Sequence, residues 1–120
     1  MAFPDSIVLK DRLNANVTFQ RVSASETKAM YIDAASSLAA PTTLLVAKTP
    51  AKGTDGTDRY VTKVTKTVTD ANGKSRPVSH SSADSVPRMG IARTDVDDVV
   101  AMVNSFNTVA NYDRKVRGEI

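Results

Sequence analysis

The residues with the clearest chemistry lie on one candidate strand, Asp58 to Thr69 (DRYVTKVTKTVT), where cations and small hydroxyls alternate with apolar side chains. Side chains alternate across a strand. Arg59, Val61, Lys63, Thr65 and Thr67 therefore share one face, and Tyr60, Thr62, Val64, Lys66 and Val68 share the other. The first face sets long cations beside hydroxyls. Arg and Lys neutralise phosphate charge and Thr hydrogen-bonds without bulk, so this face suits a nucleic-acid backbone. Lys48, on the preceding strand, is placed with the same patch, although its strand has apolar residues on both faces. The second face is the more apolar and is expected beneath helices. The same pattern also fits a sheet whose polar face simply meets solvent, and no aromatic platform for stacking bases accompanies the charges.

Catalytic arrangements are hard to find. The single histidine, His80, is flanked by Ser79, Ser81 and Ser82. Adjacent strand residues face opposite sides, and no orienting carboxylate or oxyanion loop is marked. Asp95, Asp97 and Asp98 fit the first turn of a helix better than a metal site, because they oppose the positive end of its dipole. Gly53 and Gly56 lie in a turn with no following helix, so they make no phosphate loop. The sequence thus predicts no enzyme, no metal and no cofactor. Asn16-Val17-Thr18 matches a glycosylation sequon, but nothing points to secretion.

The elements that must hold the cationic strand change character once, at Thr94. Upstream, short β-branched runs are separated by turn residues. Ser6–Lys10 and Asn16–Val22 form a hairpin, Glu26–Ile32 a third strand, and Ala34–Ala40 a loop or helical turn stopped by Pro41. Thr42–Thr49 is a strand ended by Pro50. A turn with Asp55-Gly56 leads into Asp58–Thr69. After the loop Asp70–Arg76, with its Asn72-Gly73 pair, Val78–Arg93 returns as a strand broken near Val86–Arg88 by Pro87. Downstream, Val96, Val99, Val100, Val103 and Phe106 follow helical spacing. Thr94 is the expected N-cap, and a second helix spans Val109–Val116 with Gly118 past its end. The expected fold is therefore α+β: an N-terminal β-hairpin and antiparallel sheet over about 1–93, then two C-terminal helices over about 94–118, in a single domain of 120 residues.

Composition constrains this further. Aromatics are limited to three Phe and three Tyr, so the core must be largely aliphatic. One short helical tail barely covers a sheet, and a second copy of the chain would complete it. There is no cysteine, which excludes disulfides and thiolate sites. The N-terminal Met1-Ala2-Phe3-Pro4-Asp5 lacks the pattern of a signal peptide. No apolar run approaches the roughly 20 residues that span a bilayer. The net charge of +3 is a mild basic bias.

In order, spacing and length the whole chain resembles the coat proteins of the single-stranded RNA bacteriophages, the levivirus-like family. The segments that carry the resemblance are IVLKDR (7–12), TTLLVAKTPAKG (42–53), DRYVTKVTKTV (58–68) and GIARTDVDDVVAMVNSF (90–106). The resemblance implies an intertwined dimer whose two sheets join, with each subunit's helices crossing the partner's outer sheet surface. It implies a T=3 icosahedral shell, a place in the virion after assembly in the bacterial cytoplasm, and genomic RNA on the inner sheet face. In the family that face also binds an operator hairpin and represses translation. Matched by strand and face, the RNA-binding candidates are Lys48, Arg59, Val61, Lys63 and Thr65. The dimer candidates are Val96, Val99, Val100, Val103 and Phe106. The loop from Asp70 to Pro77, with Asn72 and Gly73, matches the one that gathers at the particle axes, where Pro77 is the position for a cis bond. The final strand, around Ala83 to Arg88, lacks the Tyr and Asn that read the hairpin in well-studied members. The partners expected are the chain itself and RNA, with no membrane and no small-molecule substrate. The competing reading is a dimeric β-sheet regulator that binds nucleic acid without forming shells.

Overall fold

Six strands pair antiparallel in chain order: β1 (Ser6–Lys10), β2 (Asn16–Ala24), β3 (Lys28–Asp33), β4 (Thr42–Thr49), β5 (Thr57–Thr69) and β6 (Ser75–Pro87). Two helices follow, α1 (Arg93–Phe106) and α2 (Val109–Val116). This computed structural model describes residues 3–118; Met1 and Ala2, part of the N-terminal stretch read above, lie outside it with 119–120. The short connections select the meander. Asn14 takes a left-handed φ of 61° in the first turn, where the Asp11 carboxylate accepts the N–H groups of Leu13 and Ala15. Gly73 does the same at φ 79° between β5 and β6.

One face of the sheet, here the outer face, holds the core. Phe19, Tyr31 and Leu44 are buried there, and Ile7, Leu9, Val17, Val46 and Val64 pack against them. Ile7 pairs with Phe19, Tyr31 with Leu44, and Leu44 with Val64, so the cluster runs across the sheet from strand to strand. The Tyr31 hydroxyl donates to the Pro4 carbonyl at 2.8 Å, tying the N-terminal segment across β3.

The structure moves several expected boundaries. β2 runs on to Ala24 through a bulge between Arg21 and Ser23, and β3 begins only at Lys28. Residues 34–40 form turns and bends, the loop expected there. β6 starts at Ser75, so Ser75, Arg76 and Pro77 belong to the strand and the loop is confined to 70–74. Pro77 is trans and stands opposite Thr67. Thr94 is not the N-cap of α1. The cap lies two residues earlier, at extended Ala92, because the Asp95 carboxylate reaches back to accept the Ala92 N–H at 3.0 Å. Thr108 does cap α2, accepting from the Asn111 N–H at 3.2 Å.

The helices are loosely attached, and neither contains a buried residue. Accessible surface totals 9328 Å², whereas a folded monomer of 12.8 kDa exposes roughly 6,300 Å². The radius of gyration is 16.9 Å, against about 13.6 Å for a compact chain of this length.

Candidate nucleic-acid interface and subunit surfaces

Cross-strand register decides which side chains share a face. Lys63 stands opposite Leu45 on β4 and Ser81 on β6; Arg59 stands opposite Thr49 and Ser85; Thr65 stands opposite Thr43 and Ser79. Arg59 and Lys63, the two cations on this face of β5, therefore each have a serine as neighbour on β6. Carried further, the row through Val61 reaches Ala47 and then Lys28 on β3. The row of Lys63 reaches Met30. On the hairpin, Thr18 and Val8 pair on this face, as do Asn16 and Lys10. Sequence reasoning did not find Lys10 and Lys28, because their placement needs a register counted over several strands.

Lys48 is a correction. It pairs with Tyr60, which places it on the outer face, away from Arg59 and Lys63. Its strand offered no clear alternation, since Leu44, Leu45 and Val46 are apolar on both sides.

The face with Arg59 and Lys63, here the inner face, carries no Asp or Glu at any strand position. Among the described residues the side chains of Lys28, Arg59 and Lys63 have no hydrogen bond or ion pair, and the Lys10 side chain donates only to the Asn16 side chain. The strand carboxylates, Asp33, Asp58 and Asp84, fall on the outer face with Phe19, Tyr31 and Tyr60.

Asp33 and Asp58 there, and Asp11 and Asp70 in the turns, are engaged, whereas the Asp84 side chain has no hydrogen bond or ion pair among the described residues. Asp58 accepts from the Ala51 N–H at 2.8 Å and from Arg88 Nε at 3.0 Å. The Ala51 bond, followed by the Arg88 bond and charge, holds its carboxyl below the ordinary 3.8 despite partial desolvation. Arg88 also donates to the Gly53 carbonyl at 3.1 Å, so the end of β6 is fastened to the β4–β5 turn. Asp70 accepts from the Asn72 and Lys74 N–H groups, each at 2.9 Å, and from Arg76 Nε at 3.1 Å. The Lys74 bond and then the Arg76 bond lower its pKa as well.

The helices lie beside the outer face. Val96 and Val100 are half-buried in a cleft of about 650 Å³ that also meets Thr62, Asp84 and Val86. Val99, Val103 and Phe106 are more than half exposed. Tyr112 of α2 lines a smaller cleft with Val64, Val78 and His80. His80 makes no hydrogen bond to a serine among the described residues. Four of the five predicted dimer residues, Val96, Val99, Val100 and Val103, thus line one cleft facing their own β6, and Phe106 lies outside it.

No protein-family model matches the chain, and no curated protein sequence does. Solved structures match it over most of its length. The virus-like particle of Beihai levi-like virus 21 aligns with a TM-score of 0.78 at 15% identity, covering 99% of this chain and 97% of that one. The virus-like particle of bacteriophage AVE019 gives 0.76 at 12% identity, with 96% and 95% covered. The bacteriophage EMS014 coat protein gives 0.68 at 19% identity, with 86% and 71% covered. The curled six-stranded antiparallel sheet followed by two C-terminal helices is therefore the fold of the levi-like coat proteins. At these identities the likeness is one of fold.

Proposed function

We propose that this chain is the coat protein of a single-stranded RNA phage, one domain that dimerises and closes into an icosahedral shell around RNA. The observation that carries this reading is the unfinished surface. The excess of about 3,000 Å² over a compact monomer is of the size that obligate subunit interfaces bury. It coincides with two features that a partner would cover. Val99, Val103, Phe106 and Val109 of the helices each remain more than half exposed. β6 is a 13-residue edge strand with no neighbour beyond it, a feature that monomers usually blunt.

Antiparallel pairing of β6 with its copy needs a two-fold axis perpendicular to the sheet. Such an axis keeps both inner faces on one side and both sets of helices on the other. The acid-free surface would double in width and meet the RNA, while each subunit's helices would lie on the outer face of the joined sheet. The self-bonded loop at Asp70, Asn72 and Gly73 then stands at the far end of β5, available for contacts between dimers. T=3 organisation and a place in the virion, after assembly in the bacterial cytoplasm, follow from the family resemblance.

Size-exclusion chromatography of the recombinant protein, with negative-stain imaging and the 260/280 nm absorbance ratio of the earliest peak, tests this reading. Uniform shells rich in nucleic acid are expected. A discrete dimer that stays a dimer when RNA is added would overturn it in favour of a regulator.

A further inference from the structure

We infer, resting on the coat-protein reading for the two-fold contact, that the free edge of β6 pairs with its own copy in one register. That register is centred on Ser82, and in it His80 of each subunit meets the partner's Asp84. The backbone bonds establish which groups face the free edge. In an antiparallel sheet the N–H and C=O of successive residues point to opposite sides. The Thr67 N–H goes to the Pro41 carbonyl, on the β4 side, so Pro77, opposite Thr67, turns its own groups outward. The Arg88 N–H goes to the Gly56 carbonyl, so Pro87 before it faces outward too. Ser79, Ser81, Ala83 and Ser85 share that direction. Their groups form the unpaired ladder, and at each end of it stands a proline with no N–H to give.

A two-fold axis pairs positions equally distant from it, and Ser82 is the midpoint of the two prolines. With the axis there, Pro77 meets the partner's Pro87, so the two positions that cannot donate fall opposite each other. Every N–H and C=O of Ser79, Ser81, Ala83 and Ser85 then has a partner. On the outer face Val78 meets the partner's Val86, and His80 meets the partner's Asp84. These pairs are of the non-hydrogen-bonded kind, with Cα atoms about 4.5 Å apart and side chains in reach. Within the subunit the side chains of His80 and Asp84 have no hydrogen bond or ion pair among the described residues. Moving the axis by one residue sets Val78 against the partner's Asp84, or His80 against the partner's Val86. It also leaves the carbonyl of Ser85 or Ser79 facing a proline. Moving it by two sets His80 against the partner's His80, or Asp84 against the partner's Asp84. Outside the prolines Arg76 approaches the partner's Arg88, but each is already matched with a carboxylate of its own, Asp70 and Asp58. Lys66 of β5 and Tyr112 of α2 also line the cleft of His80, and Tyr60 of β5 stands opposite Asp84. α1 brings valines and asparagines to Asp84 and no charge.

The chain has no cysteine, so the single variants His80→Cys, Ser81→Cys, Ser82→Cys, Ala83→Cys and Asp84→Cys read the register under mild oxidation. A residue bridges to its own copy only beside the axis. At Ser82 a Cα spacing of about 4.5 Å suits a disulfide, and one position away the copies stand more than about 7 Å apart. Ser82→Cys should therefore give cross-linked dimer at least about tenfold faster than the other four. His80→Asp sets two carboxylates together and should weaken the dimer about tenfold in sedimentation equilibrium, and His80→Asp/Asp84→His should restore it to within about threefold. An imidazole gains charge as pH falls through neutrality. Because the carboxylate partner is met only in the dimer, the dimer should tighten as pH falls from about 8 to about 6 and loosen as pH rises again, and His80→Asn should remove that dependence. Fastest cross-linking at another position, or a charge exchange that fails to restore the dimer, overturns the inference. Ser82→Cys leaves every charge in place, so it decides the register even if the charge variants misfold. Imaging the same preparations separates the two readings. Shells whose subunits cross-link fastest elsewhere keep the coat-protein reading and remove this register. A dimer cross-linked through residue 82 that never forms shells does the reverse, and a chain that stays a monomer removes both.

Discussion

The two faces of the sheet differ in charge: the outer carries both signs, some of them paired, and the inner carries cations alone. On the outer face Arg21 meets Asp5 and Arg76 meets Asp70, and Asp58 is held by Arg88 from just beyond β6. Exposed pairs of this kind contribute little stability. Their larger effect is to cancel the local field, leaving a surface on which apolar helices can lie. On the inner face the cations have no carboxylates beside them, so their field extends into solvent. One strand can therefore serve two surfaces, provided that its residues alternate in charge balance as well as in polarity. β5 does this with Arg59 and Lys63 on one side and Asp58 and Lys66 on the other.

If the outer face is the one that needs packing, the largest effect should come from charging it. Val100→Asp puts a carboxylate into the cleft that already holds Asp84. We expect at least about 3 kcal/mol lost from assembly, read as disappearance of dimer and particles in sedimentation velocity; a persisting dimer would remove α1 from the interface. Phe19→Ala should cost about 3–5 kcal/mol in urea unfolding, whereas Thr18→Ala, its neighbour on the inner face, should stay within about 0.5 kcal/mol. Equal costs would erase the division between faces. Tyr31→Phe should cost about 1–2 kcal/mol by leaving the Pro4 carbonyl without its donor, measured in the same experiment. The smallest effect is on pH. Asp58 and Asp70 have folded pKa values below 3.8, so their contribution is present above that value and is lost as pH falls through the lower folded values. Asp58→Asn should therefore flatten the decline in stability on acidification below about pH 4, and an unchanged acid limb would discard this origin.

Much of the fold was legible because β-branched runs and turn pairs mark strands directly. The limits of β1 and β4, and the C-terminal end of α1 at Phe106, match the sequence reading. The misses have physical causes. Pro77 suggested a loop, but β6 is an edge strand, where a proline's missing N–H leaves an unpaired position unpaired. Val22 lies at a bulge, which period-two counting cannot anticipate. Thr94 was a plausible cap until Asp95 took the role from inside the helix. The candidate site was only partly readable. Alternation alone sorted Arg59, Val61, Lys63 and Thr65 onto one face, but the side of Lys48 and the company of Lys10 and Lys28 are fixed by pairing across strands. The helix contacts are the least legible, since helical spacing groups Val96, Val99, Val100 and Val103 but does not say that they meet β6 across an open cleft.

The fastening of Arg88 to Asp58 and Gly53 also has a mechanical meaning. It fixes the last point of the sheet, and only Met89 to Ala92 separate that point from a helix of 14 residues, with Gly90 at a φ of 84° that favours glycine. The arrangement is a short strap carrying a lever of about 21 Å. A turn of about 10° at the strap displaces the lever's tip by nearly 4 Å, at the rise per residue of a regular helix. Subunits in slightly different settings could thus keep identical sheets and take up the difference in four residues.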